Sequence, residues 1–352
     1  MYPLKQEQAY PFEHWWIAAQ SSEVGRKILG RTILNQRVVL FRTNDGAAVA
    51  LAGHCPHRNY PFEKSELVGD ALQCGYHGFT FDRAGSCIAI PSQGAVPPHA
   101  AVRRYPLVER GGVIWIWTGT AHTADAQLLP NLDDIGLGGA GWALEHHPMV
   151  TIKSRYTLLI DNLLDLNHVT FIHKDTIPGA KAIVHIPVEI VETDQSLNAR
   201  RVGRDLPGNP LLRQQFPDYD GNVDQHFDAE YYGPSLIRTG GTIYAAGTSR
   251  ALGIQNFIHG ITPETPTSLH YFVVTARNFG LDNPKLGAMN IGMGAKIQPQ
   301  DIEAIEAIEQ ALQLQPDMPH EISCRGDAAA LKVRHRLDTH IRNETRRMAA
   351  SG

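Results

Sequence analysis

Two short runs constrain this chain more than anything else in it: Cys55-Pro56-His57-Arg58 and, after a gap of sixteen residues from His57, Cys74-Gly75-Tyr76-His77. Together they read C-x-H-x16-C-x2-H, so each loop offers one sulfur and one nitrogen. Zinc sites with two cysteines and two histidines usually group C-x2-C with H-x3-5-H. The mixed pairing suits a [2Fe–2S] centre instead, in which one iron takes both sulfurs and the other both imidazoles. Neutral imidazoles in place of two thiolates make such a centre less negative and raise its potential. It can then accept an electron from a flavin or ferredoxin donor and pass it on. Pro56, Gly75 and Gly78 suit tight loops around it, and the Tyr76 hydroxyl is expected to reach a cysteine sulfur.

On these residues the segment Cys55 to Phe81 resembles the Rieske ferredoxin family, with Phe79 where that family often carries Trp. A domain of that kind needs only about 100 residues, whereas the chain has 352. A second domain must therefore be explained. The formal net charge is −4 and the lysines and arginines are scattered, which gives no footprint for nucleic acid. Met1 to Trp16 mixes Lys5, Glu7 and Glu13 with prolines and lacks the apolar core of a signal peptide. No apolar run reaches membrane-spanning length; Val113 to Trp117 is strand-sized. Outside the motif only Cys87 and Cys324 remain, too few for a disulfide framework, so a cytoplasmic location is expected.

From Arg31 to Trp117 the chain consists of short β-like runs: Thr32 to Leu34, Val38 to Phe41, Ala47 to Leu51 after the turn Asn44-Asp45-Gly46, and Val113 to Trp117. The pattern predicts an all-β domain over residues 1–120. Gly119 to Pro130 reads as a linker, and the second domain runs over 121–352. That domain opens with a helical segment, roughly Leu158 to Lys174. Asn162, Asp165 and His168 lie three apart on one face, with Leu158, Leu159, Leu163, Leu164 and Leu166 as apolar cover. His173 follows His168 by five, so for both imidazoles to meet one metal the helix must bulge or end between them. A polar stripe among leucines is costly without a metal or hydrogen-bond partners. Two histidines need one carboxylate to complete the facial triad of non-haem Fe(II) oxygenases. Asp165 and Asp175 are poorly placed for it. A second, acidic helix is expected to begin near Gln300, and Asp301 at its start is the chosen third ligand.

The run N-x2-D-x2-H-x4-H, met by Asn162, Asp165, His168 and His173, resembles the mononuclear-iron motif of the Rieske non-haem iron oxygenases. The likeness is to the branch typified by the dicamba and vanillate O-demethylases. It extends to Leu158 to Leu166, Ile261 to Thr265, Arg277 to Gly280 and the helix from Asp301 to Glu309. The resemblance implies an α+β fold, with an N-terminal all-β Rieske [2Fe–2S] domain and a C-terminal helix-grip-like domain of antiparallel sheet and long helices. It implies cluster ligands Cys55, His57, Cys74 and His77, and Fe(II) on His168, His173 and Asp301, the last at the position of that branch's iron-binding aspartate. Asn162 would help shape the site. Asp165 would bridge the Rieske histidine of one subunit, here His77, to an iron-ligand histidine of its neighbour in a head-to-tail homotrimer. His259 corresponds to a histidine that holds the substrate carboxylate. Where a substrate-contacting Trp is expected, the chain has Gly292-Met293-Gly294, which suggests a roomier pocket lined partly by Met289 and Met293.

The implied reaction uses O2 and electrons from NAD(P)H, delivered by a separate reductase directly or through a ferredoxin. One oxygen atom enters a C–H bond of a small aromatic molecule. Where that carbon is an O- or N-methyl, the product collapses and releases formaldehyde. Two alternatives stand beside this reading: cis-dihydroxylation of a ring by the same metals, and a Rieske electron carrier without oxygenase chemistry. Gly136 to Gly141 satisfies G-x-G-x-x-G but follows no strand and opens no helix, so no nucleotide site is expected there. Glu145, His146, His147 and His185 read as strand or surface residues. The terminal helix, Asp327 to Met348, with Arg334, Arg336, Arg342, Arg346 and Arg347, reads as solvated, with reductase docking as a second use.

Overall fold

The computed structural model describes residues 10–314 and 321–351; the reading of Lys5 and Glu7 lies outside them. It divides into two compact units, one from Phe12–Leu129 with Thr262–Thr265 and the other from Pro130–Ile261 and the chain from Pro266 onward. The first unit is built from ten strands: β1 Trp15–Gln20, β2 Leu29–Ile33, β3 Gln36–Arg42, β4 Ala48–Ala52, β5 Glu66–Val68, β6 Ala71–Gln73, β7 Thr80–Phe81, β8 Cys87–Ala89, β9 Leu107–Arg110 and β10 Val113–Trp117. They form three antiparallel sheets in the orders β1-β10-β9, β2-β3-β4 and β5-β6-β7-β8. Val113 to Trp117 shows no apolar alternation because β10 is buried at every position, between β1 and β9. The first motif loop follows β4 and the second joins β6 to β7. Cys55 and Cys74 belong to one apolar cluster with Phe41, Leu51, Phe62 and Phe81. Gly119 to Pro130 carries two 3-10 turns, Ala121–Thr123 and Ala126–Leu128, and the Trp15 indole N–H donates to the Asp125 carbonyl at 2.8 Å.

The second unit wraps helices against one antiparallel sheet. Its strands are β11 Ala143–His146, β12 Val150–Ile152, β13 Val188–Glu192, β14 Leu197–Leu206, β15 Val223–Gly233, β16 Leu236–Ala245, β17 Ala251–Thr265 and β18 Ser268–Arg277. The order is β11-β18-β17-β16-β15-β14-β13, with β12 also paired to β18. Helix α1, Tyr156–Leu164, buries Leu158, Leu159, Ile160, Leu163 and Leu164, each leucine contributing about 1.5–3 kcal/mol of transfer free energy. Short helices α2, Val169–Ile172, and α3, Pro210–Gln215, precede the long α4, Pro284–Leu314, and α5, Ala328–Ser351. Helix α1 contacts β15, β16, α4 and α5.

Three helical expectations need correction. The segment Leu158 to Lys174 is not one helix. It stops at Leu164, Asp165 is extended (φ −107°, ψ 91°), and its side chain accepts the Asn167 N–H to start a 3-10 turn, Leu166–His168, that leads into α2. A short carboxylate is a good N-cap and competes with the helix it would otherwise continue. The acidic helix begins at Pro284 rather than near Gln300, and Pro299 lies inside it, so Asp301 sits mid-helix. Nor is α5 merely solvated. It buries Ala329, Ala330, Val333, Leu337 and Ile341, and Arg334 forks onto the Asp161 carboxylate of α1 at 2.6 and 3.1 Å. Arg336 pairs with Glu192 and Arg342 with Asp338.

Candidate functional site

The two motif loops share one backbone device. In each the cysteine carbonyl accepts the N–H four residues on (Asn59 at 2.8 Å, Gly78 at 3.0 Å), and the cysteine N–H donates five residues on (Tyr60 at 2.9 Å, Phe79 at 2.8 Å). The residue at the fourth position is left-handed in both, Asn59 at φ 56° and Gly78 at φ 72°. The loops turn both cysteines inward, 1% and 3% exposed, and leave His57 and His77 exposed with ring centroids 4.7 Å apart. Burial pushes the Cys55 thiol up to about 11, and the neighbouring Cys74 adds to this, while the N–H groups of His57 and Arg58 pull the other way. A buried thiol that resists ionisation alone, beside a second buried cysteine and amides already aimed at its sulfur, is what a bound cationic metal stabilises as a thiolate. The donor set therefore fits the Rieske cluster. Phe79 stacks on His57 at 4.7 Å. Tyr76 does not donate to a cysteine in the described hydrogen bonds; its ring lies 3.8 Å from that of His77, and the residue is 58% exposed.

In the second unit His168, His173 and Asp301 converge, with ligating atoms all within 4.8 Å of one another. Asp301 Oδ1 lies 3.1 Å from His173 Nε2, 3.4 Å from His168 Nε2 and 3.2 Å from Asn162 Nδ2. The broken helix makes this possible, because the 3-10 turn and the end of α2 bring both imidazoles to one side despite their five-residue step. The other ring nitrogens face oxygens that only accept: His168 Nδ1 meets the Asp165 carbonyl at 2.7 Å, and His173 Nδ1 meets Gln300 Oε1 at 2.8 Å. Each Nδ1 must then carry a proton, so each imidazole in its neutral form presents its Nε2 lone pair to the carboxylate. Two lone pairs facing an anion call for a cation between them. Burial opposes a charge on His173, but Asp301 and Gln300 outweigh it and hold its pKa above the ordinary value; burial draws His168 below it. Asn162 Oδ1 is buried without a partner. Two imidazoles, one carboxylate and an orphaned acceptor fit a non-haem Fe(II) site with open positions.

Helix α4 supplies more than Asp301. Its sheet-facing stripe meets Glu145 and Gln255 through Asn290 (3.1 and 3.0 Å), His147 at Gly294, and Arg155 through Glu309 (2.6 Å). A Cβ at position 294 would lie 2.4 Å from His147 Nδ1. Glycine there admits an imidazole and does not simply open space, which corrects the expectation of a roomier pocket at this point. Gly292 has nothing within 4 Å of a Cβ, and Met289 and Met293 are half-buried. His147, expected to be a strand or surface residue, is 2% exposed and bonds Thr275 Oγ1 at 2.9 Å. Its sequence context, a second histidine after a strand, carries no signal of this. Gln300 and Tyr271 likewise escape sequence reasoning, although adjacency to Asp301 marks Gln300. Glu145 is salt-bridged to Arg277 at 3.0 Å, and His185 is exposed.

His259 is engaged at both nitrogens, by the Tyr271 hydroxyl at 2.6 Å and Thr239 Oγ1 at 2.8 Å, and stands close enough to Asp301 to feel its charge. Burial lowers its pKa from 6.5 to about 3. A histidine buried neutral binds fewer protons folded than unfolded, so stability is intact above pH 6.5 and is lost as pH falls from there toward 3. Between pH 6.5 and 5 the expected loss from this group is about 2 kcal/mol. His259→Gln should flatten that slope when urea unfolding is compared at the two pH values.

Comparisons with known proteins match the two regions of the chain that carry these residues. The Rieske [2Fe-2S] domain model matches residues 14–106, and the vanillate O-demethylase oxygenase C-terminal domain model matches residues 152–343. The chain is 32% identical to the oxygenase component of dicamba O-demethylase from Stenotrophomonas maltophilia, over 92% of this chain and 96% of that one. It is 30% identical to a toluene-4-sulfonate monooxygenase system iron-sulfur subunit from Comamonas testosteroni, over 94% and 96%. The crystal structure of dicamba monooxygenase bound to 3,6-dichlorosalicylic acid superposes with a TM-score of 0.89 at 29% identity, covering 95% of this chain and 98% of that one. The chain belongs to the Rieske non-haem iron oxygenases. It is the oxygenase component of a monooxygenase system, which sets aside both the ring-dihydroxylating and the electron-carrier alternatives.

Proposed function

We propose that this oxygenase hydroxylates or oxidatively O- or N-demethylates a small aromatic molecule, with His168, His173 and Asp301 holding Fe(II) and Cys55, His57, Cys74 and His77 holding the cluster. The observation that carries the reading is the convergence of two imidazole Nε2 atoms on one carboxylate, with both Nδ1 atoms facing acceptor oxygens. Fe(II) there would activate O2, and the cluster would supply electrons one at a time. Gln300, held by its own bond to Thr176 at 2.8 Å, keeps the His173 proton on Nδ1. Asn162 anchors the Asp301 oxygen and offers its unpartnered acceptor to the site. His259, Tyr271, Met289 and Met293 are proposed to contact substrate, which would take over a hydrogen bond that the imidazole or the phenol now makes within the chain. We take the protein to be a cytoplasmic homotrimer fed by a separate NAD(P)H-dependent reductase, directly or through a ferredoxin, with Asp165 bridging His77 of one subunit to His168 of the next. Among the described residues no helix is long and apolar enough to cross a membrane.

Relatives are named for dicamba, toluene-4-sulfonate and vanillate, aromatic compounds that the test should include. Methoxybenzoates, N-methylanilines and toluene-4-sulfonate would be screened with a reductase for substrate-dependent O2 uptake and formaldehyde release. The expected result is uptake with at least one of them, matched by formaldehyde or by a single added oxygen. Uptake that yields cis-diols instead would overturn the reading.

A further inference from the structure

The turn that carries Asp165 is held by a buried arginine of the sheet. Arg201 stands on β14 opposite Phe227, on the strand face of Ala199 and Leu197, and is 5% exposed. Phe227 packs against the apolar cluster of Val169, Ala180 and Ile183, so the strand pair is apolar on that side. Burial there works against the guanidinium charge and holds its pKa below the ordinary value. A charge buried in this way needs specific partners, and removing one side of such a set is destabilising.

What Arg201 does hold is specific. One arm donates to the Ile186 carbonyl, and the other donates to Asn167 Oδ1 at 3.0 Å. The second arm also lies 3.9 Å from Asp165 Oδ1, a charge neighbour too distant for a hydrogen bond. That oxygen accepts the Asn167 N–H at 2.9 Å. The carboxylate, 24% exposed, is therefore oriented through Asn167 and given a positive neighbour, while acceptor capacity is left for a donor from outside the chain. The Asp165 carbonyl separately fixes His168, so one residue serves the iron side with its backbone and keeps its side chain for another task.

We propose that Arg201 is a positioning residue for electron transfer, clamping the Asp165–Asn167 turn so that the Asp165 carboxylate faces the neighbouring subunit with its acceptor free. This rests on the reading of Asp165 as the intersubunit bridge. The test is flash photoreduction of the cluster by a photoexcited flavin, itself reduced by a sacrificial amine, with the mononuclear iron poised ferric. One electron then passes from cluster to iron, leaving an oxidised cluster and ferrous iron, and recovery of the cluster's visible absorption gives the rate without any substrate. Arg201→Met should keep iron content, lose some thermal stability because the Ile186 carbonyl and Asn167 Oδ1 lose their donor, and slow the transfer by about 10- to 100-fold, the range for partners that orient metal-site groups. Arg201→Lys, which keeps the charge but not the fork, should slow it less and covers the case in which the first variant does not fold. Asp165→Asn should also be slow, and adding Arg201→Met to it should change the rate by less than about twofold, because residues acting through one group are not additive. Native transfer in Arg201→Met and Arg201→Lys with slow transfer in Asp165→Asn would overturn the role of Arg201 alone. Native transfer in Asp165→Asn would overturn the bridge and this proposal with it. Full additivity, or loss of iron in both arginine variants, would assign Arg201 to the fold instead.

Discussion

Asp301→Ala should leave a chain that keeps its cluster but carries no mononuclear iron, with turnover reduced by well over about 100-fold. Loss of a group that merely orients a metal ligand costs about 10- to 100-fold, and Asp301 is argued to be a ligand itself, the one carboxylate facing both Nε2 atoms. Its removal would also strip the Asn162 amide of its partner, leaving a second buried group unsatisfied. Glu303, two residues on, is exposed, so Glu303→Ala should retain iron and activity. Metal analysis of the two purified variants, beside the reduced-cluster EPR signal, separates them. The reverse pattern would move the ligand along α4 to the glutamate.

Cys74→Ser should abolish the Rieske EPR signal and all reductase-dependent turnover, while the second unit still binds its iron. The hydroxyl would sit among Phe41, Leu51, Phe62 and Phe81, where an unpaired polar group costs about 1–3 kcal/mol. Some loss of stability in the first unit is therefore expected as well. A variant with a full Rieske signal would show that the sulfur of Cys74 is not a ligand.

Much of this is legible in the residues because the motifs are local. C-x-H and C-x2-H lie on single loops, and the five-residue step from His168 to His173 by itself demands a break in the helix if both imidazoles are to meet one metal. Asp301 is reachable by its acidic helix and by family likeness together. What the residues do not convey is where the break falls. Asp165 reads as one turn of a continuous polar face, yet it caps the next turn, and that choice depends on the tertiary packing of the leucines on either side. Pro299 hides the continuity of α4, since a proline inside a helix costs a hydrogen bond that packing against the sheet must offset. His147 and Arg201 are invisible for a different reason. Each matters through contacts more than thirty residues away, with Thr275 and Gly294 in one case and Asn167 in the other.

The measurement that bears most directly on the whole account is quantitative metal analysis of the purified chain, read together with EPR of its dithionite-reduced form. The account expects about three irons per chain, two in a cluster with mixed sulfur and imidazole ligation and one on two histidines and a carboxylate. The Rieske signal should be lost in Cys74→Ser and retained in Asp301→Ala. Zinc in place of iron, or about two irons per chain in both the native protein and Asp301→Ala, would contradict it.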